Sequence, residues 1–166
     1  KLFTSVKDID HAVVLHIHTI KGKGLKYAEE TGAITIGPNP SFINNFAYSG
    51  RADAYGGVIY SDGDISFSDG VTFINNYAKT SGGAITMGGK CDLLALTKDV
   101  LFSGNMVGGV VIGQSDDGFP VVENGIANAI DMNGSLFPSL YTPNLTLAAE
   151  EGREIRFNDP ITSLNE

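Results

Sequence analysis

The sequence predicts an all-β fold, a right-handed parallel β-helix with turns of about 26 residues. Three observations carry this. A glycine precedes an aliphatic run four times, at Gly32, Gly57, Gly83 and Gly109, with steps of 25, 26 and 26 residues. A second marker, a Phe followed three positions later by an Asn, recurs as Phe42/Asn45, Phe73/Asn76 and Phe102/Asn105. Between the markers lie short alternating runs rich in β-branched residues, such as "DISF", "VTFI" and "AITM". These read as strands; as helices they would carry too much glycine. Periods in the twenties mean stacked units, each too small to fold alone. A Gly-rich β-sandwich is the alternative, but it gives no reason for the markers to keep phase.

The elements follow in order. In the second turn strands are expected at 57–61, 64–68 and 71–75, and in the third at 83–87, 92–97 and 100–104. Ala33, Val58, Ala84 and Val110 would then stand at equivalent places, as would Ile59 and Ile85, each burying the one above. The doubled glycines Gly56/Gly57, Gly82/Gly83 and Gly108/Gly109 supply positive φ or corners with no room for a Cβ. Asn45, Asn76 and Asn105 would form an amide ladder at another corner, with Phe42, Phe73 and Phe102 stacked inside beside it. Past residue 113 the markers fade. Residues 114–125 read as a longer loop or insertion, and strands are expected within 126–132, 145–152 and 153–162, the last ended by Asn158-Asp159-Pro160.

Composition narrows the function classes. The 166 residues include 21 Gly, 6 Pro and no Trp, with 42% hydrophobic and 18% charged. That balance suits an extracellular β architecture better than a cytosolic helical enzyme. A net charge of −8 argues against nucleic acid as a partner. The single cysteine, Cys91, excludes an intrachain disulfide and reads as a small buried apolar residue. No run of about 18 apolar residues offers a membrane helix. The chain starts at Lys1 without a signal peptide and is expected to be a piece of something longer.

The pairing of Phe-x-x-Asn with Gly-Gly-Ala-Ile resembles the polymorphic outer membrane proteins of the chlamydial type, autotransporters whose passenger region carries many copies of both tetrapeptides. "FINN" at 42–45 and 73–76, "FSGN" at 102–105 and "GGAI" at 82–85 carry the resemblance. "TGAI" at 31–34, "GGVI" at 56–59 and "GGVV" at 108–111 are variants, and "LTLAAEEGREIRFNDPIT" at 145–162 is similar to a segment that closes a passenger repeat block. The resemblance covers about residues 31–166. It implies a β-helical passenger at the bacterial outer-membrane surface or secreted, adhesion to a host cell-surface receptor or glycan, and no catalytic residues. Members often carry several passenger cysteines; this chain has one.

Residues 1–30 form a segment of different ancestry. "KDIDHAVVLHIHTIKGKGLKYAEE" at 7–30 resembles 1-deoxyxylulose-5-phosphate synthase, a thiamine-diphosphate enzyme, but brings neither that cofactor's metal-binding motif nor the rest of the fold. Residues 12–20 are expected to cap or extend the β-helix as a strand, and no cofactor is expected.

Other candidate sites have plainer readings. His16 and His18 share a strand face, but His11 is out of register as a third metal ligand. Lys21-Gly22-Lys23-Gly24 lacks the full phosphate-loop spacing and reads as a basic turn. Asp62, Asp64 and Asp69 are hard oxygen donors of the calcium-binding kind, or a solvated turn. Pectin-cleaving β-helices cluster carboxylates with an arginine; Arg51 with Asp53 is the candidate here, Arg153 and Arg156 being the other arginines. "NGS" at 133–135 and "NLT" at 144–146 are glycosylation sequons. The expected function is a surface adhesin fragment that presents loops 48–55 and 114–125 and can self-associate through its ends. A carbohydrate-acting β-helix enzyme and a fragment of the thiamine-dependent synthase are the alternatives.

Overall fold

The computed structural model describes residues 34–50, 52–132 and 142–162. Four expectations therefore fall outside the described residues: the N-terminal segment 1–30 with its histidines and basic turn, Gly32 with Ala33, Arg51, and the sequon at 133–135. Among the described residues the chain is all-β, and its sheets are mostly parallel, an arrangement compatible with a β-helix.

Among the described residues the chain returns four times, as four passes, to a shared set of sheets. The first holds β1 (Ile34–Ile36), β2 (Ser41–Ile43) and β3 (Phe46–Ala47). The second holds β4 (Ile59–Ser61), β5 (Ile65–Phe67), β6 (Val71–Ile74) and β7 (Tyr77–Ala78). The third holds β8 (Ile85–Met87), β9 (Lys90–Ala95), β10 (Val100–Ser103) and β11 (Met106–Val107). A hairpin of β12 (Val110–Gln114) and β13 (Pro120–Glu123) follows, then β14 (Ile126–Ala127). The fourth pass holds β15 (Ile130–Asp131), β16 (Asn144–Ala149), β17 (Ile155–Phe157) and β18 (Ile161–Thr162).

Among the described residues four four-stranded sheets result beside the two-stranded hairpin, ordered β1-β5-β9-β16, β17-β10-β6-β2, β14-β11-β7-β3 and β18-β15-β8-β4. All their pairings are parallel except β11 with β14. Parallel in-register pairing sets like beside like. Ile59, Ile85, Ile130 and Ile161 form one column, and Phe42, Phe73, Phe102 and Phe157 another. The phenyl rings stack at centroid distances of 5.1, 4.6 and 4.7 Å. Phe67 meets Phe73 edge-on, tying two sheets into one buried core with Ile65, Val71, Leu93 and Val100.

The structure corrects the sequence reading in four places. The short strands β3, β7 and β11 form a further sheet beyond the three strands per turn expected. The offset between paired positions is not uniform: 26 residues from Asp64 to Lys90, but 31 from Asn45 to Asn76 and 29 from Asn76 to Asn105. Gly109 and Val110 do not stack on Gly83 and Ala84. Val110 pairs with Glu123 in the hairpin and is 61% exposed, while Ala129 takes the place beside Ala84. The final run, ended at Asn158-Asp159-Pro160 as expected, resumes beyond it as a second strand, so that 153–162 holds both β17 and β18.

Candidate functional site

The interior corner holds a continuous hydrogen-bonded ladder. Asn45 donates through its backbone N–H and its side-chain amide to Asn76 Oδ1, at 2.9 and 3.0 Å. Asn76 makes the same pair of bonds to Asn105 Oδ1, at 3.2 and 2.8 Å. The second amide hydrogen of each goes to the Phe carbonyl of the pass before, Asn76 to Phe42 O and Asn105 to Phe73 O. Asn76 and Asn105 therefore each accept two side-chain bonds and donate two, which permits a fully buried amide at both. The residue before each rung turns the corner in the left-handed region, at Asn44 (φ 56°), Asn75 (φ 52°) and Gly104 (φ 71°). Asn tolerates that region better than other residues with a Cβ.

Asp159 is the last rung. Its Oδ2 accepts from Asn105 N and Nδ2, at 2.9 and 2.7 Å, and its Oδ1 accepts from Gly104 N at 2.9 Å. Sequence reasoning missed it, because the residue type changes and the step lengthens to 54 residues. The Phe157 position in the ring column was missed likewise.

The outer face carries the irregular parts. The hairpin closes at Ser115, whose backbone N–H donates to Phe119 O at 2.8 Å and whose Oγ accepts from Phe119 N at 3.1 Å. Phe119, just past its tip, meets Phe46 edge-on at 5.8 Å. Phe46 precedes the irregular segment 48–55, so the two regions singled out for binding adjoin one another. Phe46 and Tyr48 on one segment, and Val110, Ile112, Val121 and Ile126 on and after the hairpin, are exposed. Segment 48–55 is held from below: Lys79 Nζ donates to Ser49 O and Ala52 O, both at 3.0 Å.

The acidic stretch 61–70 does not converge. Asp62 accepts from Tyr60 OH at 3.2 Å, and Asp64 from the Lys90 backbone N–H at 2.9 Å. Asp69 fastens the corner between β9 and β10. It accepts the Thr97 hydroxyl at 2.5 Å and the backbone N–H groups of Leu96, Thr97 and Lys98 at 2.8, 2.9 and 3.2 Å. Among the described residues no group of three His, Cys, Asp or Glu is placed to hold a metal. The Thr97 hydroxyl bond, then the Thr97 amide bond, hold the Asp69 carboxyl at about 2, against 3.8 normally. A depressed value means a contribution present above the unfolded value and lost as pH falls through the folded one. Asp69→Asn is therefore expected to lower the urea midpoint at pH 6, the gap to the parent protein closing between pH about 4 and about 2. An equal gap at both ends of that range would contradict the assignment.

Arg51 lies outside the described residues, which leaves Arg153 and Arg156. Arg153 lies 3.6 Å from Asp99, and Arg156 pairs with Glu154, just before its strand. Asp53 accepts from the Tyr55 and Thr80 hydroxyls at 3.4 and 3.5 Å. Asp99, Val100, Leu101, Glu154 and Arg156 line a shallow groove of about 110 Å³, small beside the roughly 300–1,000 Å³ of ligand pockets. Cys91 is buried, and desolvation pushes its thiol up to about 12, which suppresses the thiolate. Among the described residues no helix is long and apolar enough to cross a membrane.

Fold and corner together define an all-β repeat protein with parallel strands, aligned by a buried amide ladder and a phenylalanine column. The family model of the Chlamydia polymorphic membrane protein repeat matches residues 70–86, which run from β6 through the Asn76 rung to β8. No curated protein and no solved structure matches the chain.

Proposed function

We propose that the chain is part of the passenger of a chlamydial-type autotransporter, coiled as a right-handed parallel β-helix, and that it acts as an adhesin toward host cells. The matched repeat comes from a family of chlamydial membrane proteins, which supports an outer-membrane or surface location. The all-β architecture with parallel strands supports the coil. The observation that carries the adhesive role is the apolar surface at the Phe46–Phe119 contact, where the inserted hairpin adjoins segment 48–55. Exposed apolar surface on a rigid frame marks interaction sites. Here the frame is the ladder and ring column, and the surface faces a host receptor or glycan. Repetition along a longer passenger would add weak contacts through multivalency.

Replacing residues 110–123 by a two-residue turn tests this, with circular dichroism to confirm retained β structure. The parent chain is expected to bind host cells and the shortened one to lose most of that binding. Equal binding by both would overturn the role of the hairpin. Sugar release from host glycans by the parent chain would replace the adhesin with an enzyme.

A further inference from the structure

Tyr77 stands in its sheet between Phe46 of the pass before and Met106 of the pass after. Phe46 is 46% exposed, so this column of side chains faces outward, yet Tyr77 is 0% exposed and must be covered. The hairpin and its return reach both neighbours of Tyr77. Phe119 meets Phe46 edge-on, and a Cβ on Gly125, just past β13, would stand 3.7 Å from Met106 Sδ. Under this cover the Tyr77 hydroxyl has no hydrogen-bond partner among the described residues. A stranded buried hydroxyl is costly, and the apolar Phe46 and Met106 hold the same place on either side without that cost. Burial, and after it the neighbouring Tyr48, push the hydroxyl pKa up, so the group stays a donor.

The hairpin is hung on glycines. Gly108 (φ 67°) and Gly109 (φ 74°) lead into β12, and Gly125 follows β13. Nothing lies within 4 Å of the place a Gly108 methyl would take. A few such residues absorb the dihedral change of a hinge. Lifting the tip breaks one edge-to-face ring pair, a weak contact, and frees the Tyr77 hydroxyl to bond. We propose that the hairpin lifts from Tyr77 and that the site beneath it binds a pyranose ring of a neutral glycan. The proposal rests on the adhesin reading above and names its ligand. The place that Phe119 leaves on Phe46 is that of one six-membered ring. The C–H face of the sugar packs on Phe46, and Tyr77 donates to a sugar oxygen. The hairpin remains as the upper wall, where Asp116 and Asp117, exposed at the tip, accept from sugar hydroxyls. A hydroxyl both accepts and donates, so one ring serves the phenol below and the carboxylates above. Sialylated and sulfated sugars are disfavoured, because the tip is acidic and the chain carries a net charge of −8.

The whole chain is tested on an array of lactose, N-acetyllactosamine and maltotetraose beside sialylated and sulfated glycans, and on host cells with the same neutral sugars as competitors. The parent protein is expected to bind neutral spots and to be competed from cells by them. Tyr77→Phe keeps the ring and removes the hydroxyl. Its affinity should fall about tenfold, while its melting temperature stays level or rises by a few degrees. Phe119→Ala removes only the clasp and should bind severalfold tighter, because more of the protein is open. The opposite signs separate a covered site from a merely structural tyrosine. A Tyr77→Phe protein that binds as the parent does, or melts well below it, would overturn the proposal, and so would weaker binding by Phe119→Ala. Cell binding that only charged glycans or a peptide compete away sinks the neutral-sugar site and leaves the adhesin standing. A parent that binds neither cells nor glycans sinks both.

Discussion

Replacing Asn105 by Ala is expected to lower the free energy of unfolding by about 4 kcal/mol or more. Asn105 is fully buried and makes four side-chain bonds. Removing it strands Asn76 N and one Asn76 amide hydrogen, leaves Phe73 O short of a donor, and strips Asp159 of its shortest bond. Each stranded buried group costs about 1–3 kcal/mol, and a methyl offers none of them a partner. The same change at Asn45 is expected to cost about 1 kcal/mol. Asn45 is only half-buried, and its oxygen supports no rung among the described residues. Urea denaturation of both variants measures the difference. Equal losses would mean that the amides are solvated and the ladder carries no stability.

The legible parts of this fold are those where a residue repeats itself. Parallel in-register stacking puts identical side chains beside one another, so Phe42, Phe73 and Phe102 and the three asparagines announce their positions in the sequence. The fourth pass hid because chemistry was kept while the letters changed. A carboxylate accepts the bonds that an amide oxygen accepts, so Asp159 replaces Asn without matching it, and the inserted hairpin stretches the step to 54 residues. The two-residue strands β3, β7 and β11 are too short to show alternation. Only their neighbours define them, since Tyr77 lies between Phe46 and Met106.

The hairpin misled for a sharper reason. Gly108-Gly109-Val110-Val111 spells nearly the same local preference as Gly82-Gly83-Ala84-Ile85. Backbone propensity cannot separate a glycine needed for positive φ from one needed for space. What separates them is which chain passes behind, and that is long-range information. The contact of Phe46 with Phe119 was invisible for the same cause: the two segments lie more than two passes apart in sequence and meet only through the inserted hairpin.

Gly83→Ala is the substitution that tests this distinction most severely. A Cβ on Gly83 would fall against Asn128 O, within 2.6 Å of Met106 N and 2.9 Å of Asn105 C. All three are backbone atoms, set by the ladder on one side and by the return from the hairpin on the other. No rotamer change relieves the overlap, so either the third and fourth passes separate or the corner opens. The expected loss exceeds about 3 kcal/mol, the usual ceiling for overpacking that side chains can absorb. Gly57→Ala should behave alike, since its Cβ would meet Gly83 O and lie 2.7 Å from Tyr77 O. Gly108→Ala is the control. Gly108 has φ +67°, but nothing lies within 4 Å of the place its methyl would take, so only the left-handed backbone is penalised, by about 1–2 kcal/mol. Thermal melts of the three variants should therefore rank Gly108→Ala well above the other two. A Gly83→Ala protein as stable as Gly108→Ala would mean that the passes do not press on one another at this corner, and the close stacking that aligns the ladder would have to be abandoned.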